Sequence, residues 1–87
     1  MNKVEKYIKK PIVIEAIQFL TDNVSEVSSF INDFPHKILH SESLIIISTL
    51  EGDHLVRHGD YVIKGNYDEF YPCKPEIFES NYEKVLE

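Results

Sequence analysis

Only one segment of this chain repeats its apolar residues at helical spacing, and the other apolar runs are short and β-branched. In residues 21–34 the apolar side chains recur three or four positions apart, and Pro35 follows. Asn23 and Glu26 are three positions apart, which is the spacing of the two residues of a capping box at the start of a helix. The pattern therefore predicts one amphipathic helix over about residues 22–34.

The remaining apolar runs predict β-strands. Residues 11–19 are mostly apolar on both alternating faces, which is typical of a strand covered on both sides. Residues 37–40 predict a strand, and residues 43–58 predict a hairpin whose first strand is central. Two further glycine turns follow within residues 59–68, so we expect the chain to continue as a meander.

Two prolines in the last third of the chain indicate where a strand and a helix lie. Pro72 cannot donate a ladder hydrogen bond, so its strand should lie at a sheet edge. Pro75 suits the first position of a helical turn, and residues 82–86 predict a final strand. Together these elements predict an α+β fold: a curved, mainly antiparallel sheet of five or six strands, or a small barrel, with the helix on one face.

Size and charge narrow the classes of protein further. The 87 residues suffice for a single domain, and no apolar run approaches the roughly 20 residues of a membrane-spanning helix. Residues 1–10 carry four lysines and one glutamate, a net charge of +3. Because the net charge of the whole chain is −6, residues 11–87 carry a net charge of −9. This balance disfavours nonspecific binding to nucleic acid or anionic membranes, and we expect a soluble, cytoplasmic protein with a basic N-terminal arm or leader strand.

Most catalytic signatures are missing. The single cysteine, Cys73, excludes an internal disulfide; it is either a half-buried hydrophobe or a thiol whose ionised form is favoured by the neighbouring Lys74. The three glycines all fall in predicted turns, which leaves none for a phosphate-binding loop. An enzyme would need Glu15, Asp60 or a histidine as general base, so enzymatic activity is left uncertain and binding is favoured.

The histidines raise the question of a metal site. Two pairs have a spacing of four: His36 with His40, and His54 with His58. That spacing binds zinc when it lies on a helix, whereas both pairs fall in predicted strands or loops. We therefore expect neither a metal nor a cofactor.

Aromatic and basic residues concentrate in residues 59–75. Aromatic rings offer stacking faces for a planar group, and lysines offer positive charge for its phosphates. The alternative is that the rings belong to the core, with the tyrosine hydroxyls at its rim. Together with the two lysines beside Pro11 and two polar residues of the first strand, the candidate ligand-binding residues are Lys9, Lys10, Glu15, Gln18, Tyr61, Lys64, Tyr71 and Lys74.

Both ends of the chain resemble a family of small phage and prophage proteins. Residues 9–19 are KKPIVIEAIQF, and residues 59–78 are GDYVIKGNYDEFYPCKPEIF with a tyrosine at 82, similar to the family's KKPxxIEAxQF start and GDYxIKGxxGEFYPCKPDIFxxxY end. Two departures stand out: His58 replaces a proline and Asp68 replaces a glycine. The family has no settled activity, so the resemblance implies phage origin and a shared fold.

Phage genomes carry short accessory proteins that counter host defences, and this setting shapes the functional hypothesis. We expect a non-enzymatic binding protein of the host bacterial cytosol that sequesters a small phosphate-bearing, nucleotide-type ligand, with a homo-oligomer as an open alternative to a monomer. The competing hypothesis is an acidic inhibitor that binds a host defence protein directly or mimics nucleic acid, because residues 11–87 carry −9. Neither hypothesis includes direct nucleic-acid or membrane binding.

Overall fold

A computed structural model describes residues 3–86 and shows two three-stranded antiparallel sheets and two helices. The elements in chain order are β1 (Glu15–Gln18), α1 (Val24–Ile31), β2 (His36–Leu39), a 3-10 turn (His40–Glu42), β3 (Leu44–Thr49), β4 (Gly52–Val56), β5 (Tyr61–Lys64), β6 (Phe70–Cys73) and α2 (Pro75–Asn81). The α+β class is confirmed. None of the helices in this part of the chain is long and apolar enough to cross a membrane.

Helix α1 is the predicted amphipathic helix, in a shorter form. Val27 and Ile31 are fully buried, and the helix ends where Asn32 adopts a positive φ of 57°. The predicted capping box does not form, because the Asn23 side chain is used elsewhere. Its Oδ1 accepts from the backbone N–H of Leu20 at 2.9 Å, and its Nδ2 donates to the carbonyl of Gln18 at 2.8 Å.

The second sheet has the order β2-β3-β4 and follows the sequence expectation closely. Strand β3 is central, and its Ile45 and Ile47 are fully buried. The β3–β4 hairpin turns at Gly52, whose φ is 117°. The predicted hairpin over residues 43–58 is therefore confirmed.

The first sheet has the order β1-β5-β6, so β1 lies at an edge and not in the middle. Glu15 pairs with Lys64, the last residue of β5, and the chain then turns at Gly65. Residues 11–14 run past the end of β5 and find no strand to pair with, which is why β1 begins at Glu15. Strand β6, which contains Pro72, is the other edge, as predicted.

The single five- or six-stranded sheet or barrel is not confirmed, because the chain leaves one sheet for the other between β4 and β5. Arg57 and Asp60 bracket a tight turn in which the Asp60 N–H donates to the Arg57 carbonyl at 2.9 Å. Gly59, inside this turn, has a φ of 93°. Strand β5 then pairs with β1 and β6, so the predicted continuous meander ends at this point.

Both sheets and α1 share one hydrophobic core. Helix α1 supplies Val27 and Ile31, and the second sheet supplies Ile45, Ile47 and Val56. The first sheet supplies Val62 and Phe70, and Phe19 joins them from the position directly after β1. Helix α2 begins at Pro75 in the first helical position, as predicted. The predicted final strand is absent, because residues 82–86 lie outside the helices and strands.

Candidate functional site

The side of the first sheet that faces away from the core carries both tyrosines of the predicted ligand site, Tyr61 and Tyr71. Side chains alternate along a strand, so Tyr61 and Ile63 of β5 point to this side, while Val62 and Lys64 point to the core side. Strand pairing places the remaining members beside them: Gln18 and Cys73 are the partners of Tyr61, and Tyr71 is the partner of Ile63. We call this side, together with the α2 residues that cover it, the aromatic face.

Helix α2 completes the aromatic face with a stack of three rings. The Phe78 ring lies 3.8 Å from that of Tyr61 with an interplanar angle of 10°, and 4.8 Å from that of Tyr82 with an angle of 22°. Phe78 and Tyr82 are four residues apart, a spacing that places both on one side of a helix. The Tyr82 N–H donates to the Phe78 carbonyl at 3.0 Å, so Tyr82 caps the end of α2 although its own backbone is extended, with φ −131° and ψ 146°.

A lysine from the N-terminal segment lies over the end of this stack. The Lys9 Nζ is 6.0 Å from the centroid of the Tyr82 ring, within the range of a cation–π contact. Phe78 has a tyrosine ring on each side, so the Tyr82 face turned away from Phe78 is the one that remains for another planar or cationic group. Lys9 and Tyr82 are 73 positions apart in sequence, which is why no local pattern indicated this contact.

The hydroxyls of the aromatic face are protonated at neutral pH. Burial raises the pKa of Tyr61, and the nearby Glu79 carboxylate raises it further, both through its charge and through a long hydrogen bond of 3.4 Å. Burial also raises the pKa of Tyr71, with smaller contributions from Tyr82 and Glu69. Both hydroxyls are therefore neutral. That of Tyr61 donates to Glu79, whereas that of Tyr71 can donate to an anionic ligand.

Cys73 lies next to Tyr61 on this face, and its thiol is less acidic than usual. Burial raises its pKa first, and the negative charge of Asp60 raises it further. The expectation that Lys74 favours the thiolate is therefore not confirmed, because both effects that shift this pKa favour the protonated thiol. Cys73 is a half-buried hydrophobe rather than an activated nucleophile.

This finding predicts slow alkylation of Cys73. At pH 8 a raised pKa leaves less thiolate, so iodoacetamide should modify the native protein severalfold more slowly than the same protein in denaturant. The pH at which the native rate reaches half its maximum should also lie above that of the denatured chain. Mass spectrometry of quenched time points gives both rates, and equal rates would contradict the assignment.

The other candidate residues do not all reach the aromatic face. Gln18 does, but its Nε2 donates to the Gly59 carbonyl at 3.0 Å, so it holds the turn between the sheets. Lys64 lies on the opposite side of the sheet, with its Nζ 3.7 Å from Asp68. Glu15 is exposed beside Lys64 in the strand register. The site predicted from sequence is thus divided: Lys9, Gln18, Tyr61 and Tyr71 belong to the aromatic face, Lys64 and Glu15 lie apart from it, and Lys10 and Lys74 are exposed.

Sequence reasoning missed a hydrogen-bonded serine and histidine pair. His36 Nδ1 lies 2.8 Å from the Phe34 carbonyl, which can only accept, so Nδ1 carries the proton. Its Nε2 then accepts from the Ser28 hydroxyl, also at 2.8 Å. The backbone N–H groups around Ser28 are engaged along α1 and are not free to stabilise an oxyanion, so the pair serves to connect α1 to β2.

The second histidine pair forms no comparable arrangement. His54 is half-buried on β4, and His58 is exposed in the turn that follows. Within residues 3–86, no three His, Cys, Asp or Glu side chains come together as a metal site would require.

Comparisons with protein families, with curated proteins and with solved structures find no match to this chain. Function is therefore inferred from the geometry of the aromatic face and from the surrounding charge.

Proposed function

We propose that this protein is a non-enzymatic binding protein that sequesters a small phosphate-bearing ligand on the aromatic face. The observation that carries the proposal is the Lys9 ammonium over the outer face of the Tyr82 ring, 6.0 Å from its centroid. A ring at the end of a stack and an exposed cation above it form a simple receptor for a molecule that is both planar and anionic.

Binding would proceed by exchange at Tyr82. The planar group of the ligand takes the place of the Lys9 ammonium and extends the stack by one ring. Stacking of a base on an aromatic side chain contributes roughly 1–3 kcal/mol. The displaced Lys9 and its neighbour Lys10 then bind the phosphates, since lysine is a common phosphate ligand.

The hydroxyls of the face add directional contacts. Tyr71 lies on the same face of the first sheet as Tyr61, the ring at the other end of the stack, and in this proposal its hydroxyl contacts the ligand. Because the pKa of Tyr71 is raised, this hydroxyl keeps its proton and can donate to a phosphate or carbonyl oxygen. In this proposal the Tyr71 hydroxyl contributes to ligand specificity, whereas Tyr82, Lys9 and Lys10 contribute most of the binding affinity.

The biological setting proposed for this binding is antagonism of a host defence. The resemblance of residues 9–19 and 59–78 to small phage proteins supports an accessory role during infection. A protein that removes a nucleotide signal needs affinity and abundance but no turnover. A non-enzymatic binder in the host cytosol fits that requirement.

One observation favours the acidic inhibitor as a second candidate. Residues 3–86 contain a single salt bridge, between Lys64 and Asp68, although the chain has fifteen acidic residues. Most carboxylates are therefore not neutralised by a neighbouring cation and could face a basic surface on a host protein.

One experiment separates the two candidates. The full chain is purified from bacterial cells with an active nucleotide-based defence, and native mass spectrometry is followed by denaturation to identify what is released. We expect a released small molecule of defined mass, returned chemically intact. A bare protein or a bound host polypeptide would contradict sequestration, and the second of these results would support the inhibitor.

Matched substitutions test the site itself. Tyr82→Leu should raise the Kd for the released ligand roughly 5- to 150-fold, the range that corresponds to about 1–3 kcal/mol of stacking, and less ligand should then co-purify. Tyr67→Leu is the control, because Tyr67 is an exposed tyrosine of the β5–β6 turn outside the aromatic face. A Lys9→Ala, Lys10→Ala variant should also lose ligand, whereas Lys37→Ala on β2 should not. Equal retention by Tyr82→Leu and Tyr67→Leu would place the ligand elsewhere.

A further inference from the structure

The N-terminal arm, defined as residues 3–13, exposes apolar side chains that its own chain does not cover. Val4 is fully exposed, and Tyr7 and Ile8 are 85% and 93% exposed. The Tyr7 hydroxyl reaches no further than Glu5 of the same arm, at 3.4 Å. Several large apolar side chains in one short segment need a partner surface, because their contact with water is unfavourable.

The dimensions of the molecule agree with an arm that stands away from the body. The radius of gyration is 14.9 Å, whereas a compact chain of this length has about 12 Å. Residues 3–8, which precede the Lys9–Tyr82 contact, span about 20–22 Å when fully extended. This part of the arm is long enough to enter a groove on a neighbouring copy.

A groove on the core side of the first sheet has the matching chemistry. This groove, which we call the Phe70 groove, has a volume of about 560 Å³ and lies between the end of α1 and the β5–β6 hairpin. The partly exposed rings of Phe30 and Phe34 form its apolar walls. Phe70, which is 6% exposed, lies beneath them, with its ring centroid 5.4 Å from that of Phe30 and 5.5 Å from that of Phe34. The carboxylates of Asp33 and Asp68 lie at its exposed rim.

Charge complementarity identifies the occupant. The first ten residues carry +3 and the rest of the chain carries −9, so an arm is attracted to the body of another copy. Lysines flank the apolar residues of the arm, and aspartates flank the apolar walls of the Phe70 groove. The one lysine of the groove, Lys64, is already 3.7 Å from Asp68.

The arm is poorly placed to fill the groove of its own chain. Lys9 lies over Tyr82 on the aromatic face, which is the outer side of the first sheet. The Phe70 groove lies on the opposite side, because Lys64 and Phe70 point to the core side of the same sheet. The arm thus leaves the body on the side away from its own groove.

We propose that the N-terminal arm of one copy docks in the Phe70 groove of a second copy, with Tyr7 and Ile8 against the phenylalanine walls. Reciprocal docking of both arms gives a closed, two-fold dimer. The exchange buries the exposed apolar side chains of both arms and places Lys3 and Lys6 of each arm near Asp33 and Asp68 of the other copy, while Lys9 stays at Tyr82 of its own chain.

The test compares the mass of the full chain in solution with that of arm and groove variants, by light scattering over a concentration series. We expect the unmodified chain to be a dimer and the Tyr7→Asp, Ile8→Asp variant to have a dimer Kd raised about tenfold or more, because two buried apolar side chains become charged. Leu50→Asp is the matched control: Leu50 is fully exposed at the β3–β4 turn and should leave the dimer unchanged.

The groove is tested by an Asp33→Lys, Asp68→Asn variant, in which asparagine suits the positive φ of 60° at position 68. We expect its dimer Kd to be raised about tenfold or more as well, while its far-UV circular dichroism spectrum shows the same secondary structure as the unmodified chain. Mixed with the arm variant, it should form a mixed dimer, because an intact arm then meets an intact groove in one of the two contacts. A monomeric unmodified chain, or an arm variant that stays dimeric, would overturn the proposal.

Discussion

Phe70→Ala is expected to destabilise the protein by about 3–5 kcal/mol, the range for truncation of a buried phenylalanine. Phe70 is 6% exposed and belongs to the core that both sheets share. Its ring packs against Phe30 edge-on at 5.4 Å and against Phe34 at 5.5 Å, so it connects β6 to the end of α1. A domain of this length has a total stability of about 4–13 kcal/mol, so this one truncation removes a large part of it.

Urea unfolding followed by circular dichroism measures the change, with Tyr67→Ala as the control. Tyr67 is an aromatic residue three positions earlier, 90% exposed, so its truncation should change stability by less than about 0.5 kcal/mol. Phe70→Leu keeps most of the apolar volume and remains measurable if the alanine variant does not fold. Similar unfolding midpoints for Phe70→Ala and Tyr67→Ala would show that Phe70 does not connect the two layers.

Local elements of this fold could be predicted from sequence because their signals are local. The helical spacing of Val27 and Ile31 places α1, and Pro75 marks the first residue of α2. The run of isoleucines in β3 and the glycine at 52 produce the hairpin of the second sheet. In each case the residues that determine the element lie within one turn or one strand pair of each other.

The division into two sheets could not be predicted in this way. A glycine turn between two strands is typical of a hairpin, and nothing local to Gly59 distinguishes a hairpin from a change of sheet. The difference is made by Phe19, whose N–H donates to the Asp60 carbonyl at 2.8 Å and whose carbonyl accepts from the Gly59 N–H at 2.7 Å. Those contacts are about 40 positions apart in sequence.

The residues of the candidate site could be predicted from sequence only in part, and for a different reason. Side-chain alternation along β5 already places Tyr61 and Lys64 on opposite sides of the strand. The aromatic and basic residues that are close in sequence therefore could not all lie on one side of the sheet. Composition alone grouped the two residues together. The Phe78–Tyr82 pair on α2 has the i, i+4 spacing of stacked rings, a signal that could have identified the aromatic face.

Asp68 and His58, the two residues that depart from the sequence pattern quoted above, both lie in turns. Asp68 has a φ of 60°, a region that glycine occupies more easily, and its N–H donates to the Gly65 carbonyl at 3.3 Å. His58 precedes Gly59 in a turn that has a positive φ at its third residue, where proline is common at the second. Glycine at 68 and proline at 58 would therefore suit these two turns for backbone reasons alone.

Gly59→Ala should have the second-largest effect on stability, a loss of roughly 1–3 kcal/mol, because alanine at a φ of 93° is strained. The Cβ itself meets little, since the Pro75 side chain is 3.9 Å away, so the loss comes from the backbone. Relaxing that strain would disturb the bond from Gly59 N–H to Phe19 and the bond from Gln18 to the Gly59 carbonyl, which hold β1 to the turn.

Thermal unfolding of Gly59→Ala and of the neighbouring exposed His58→Ala gives the comparison. The His58 variant should change stability by less than about 0.5 kcal/mol, because a surface side chain without special geometry is removed. Amide hydrogen exchange in the Gly59 variant should also be faster in β1 than in β3, since the affected bonds anchor the first sheet alone. Equal stability of the two variants would mean that the turn adopts another conformation, and the change of sheet would then need a different explanation from the positive φ of Gly59.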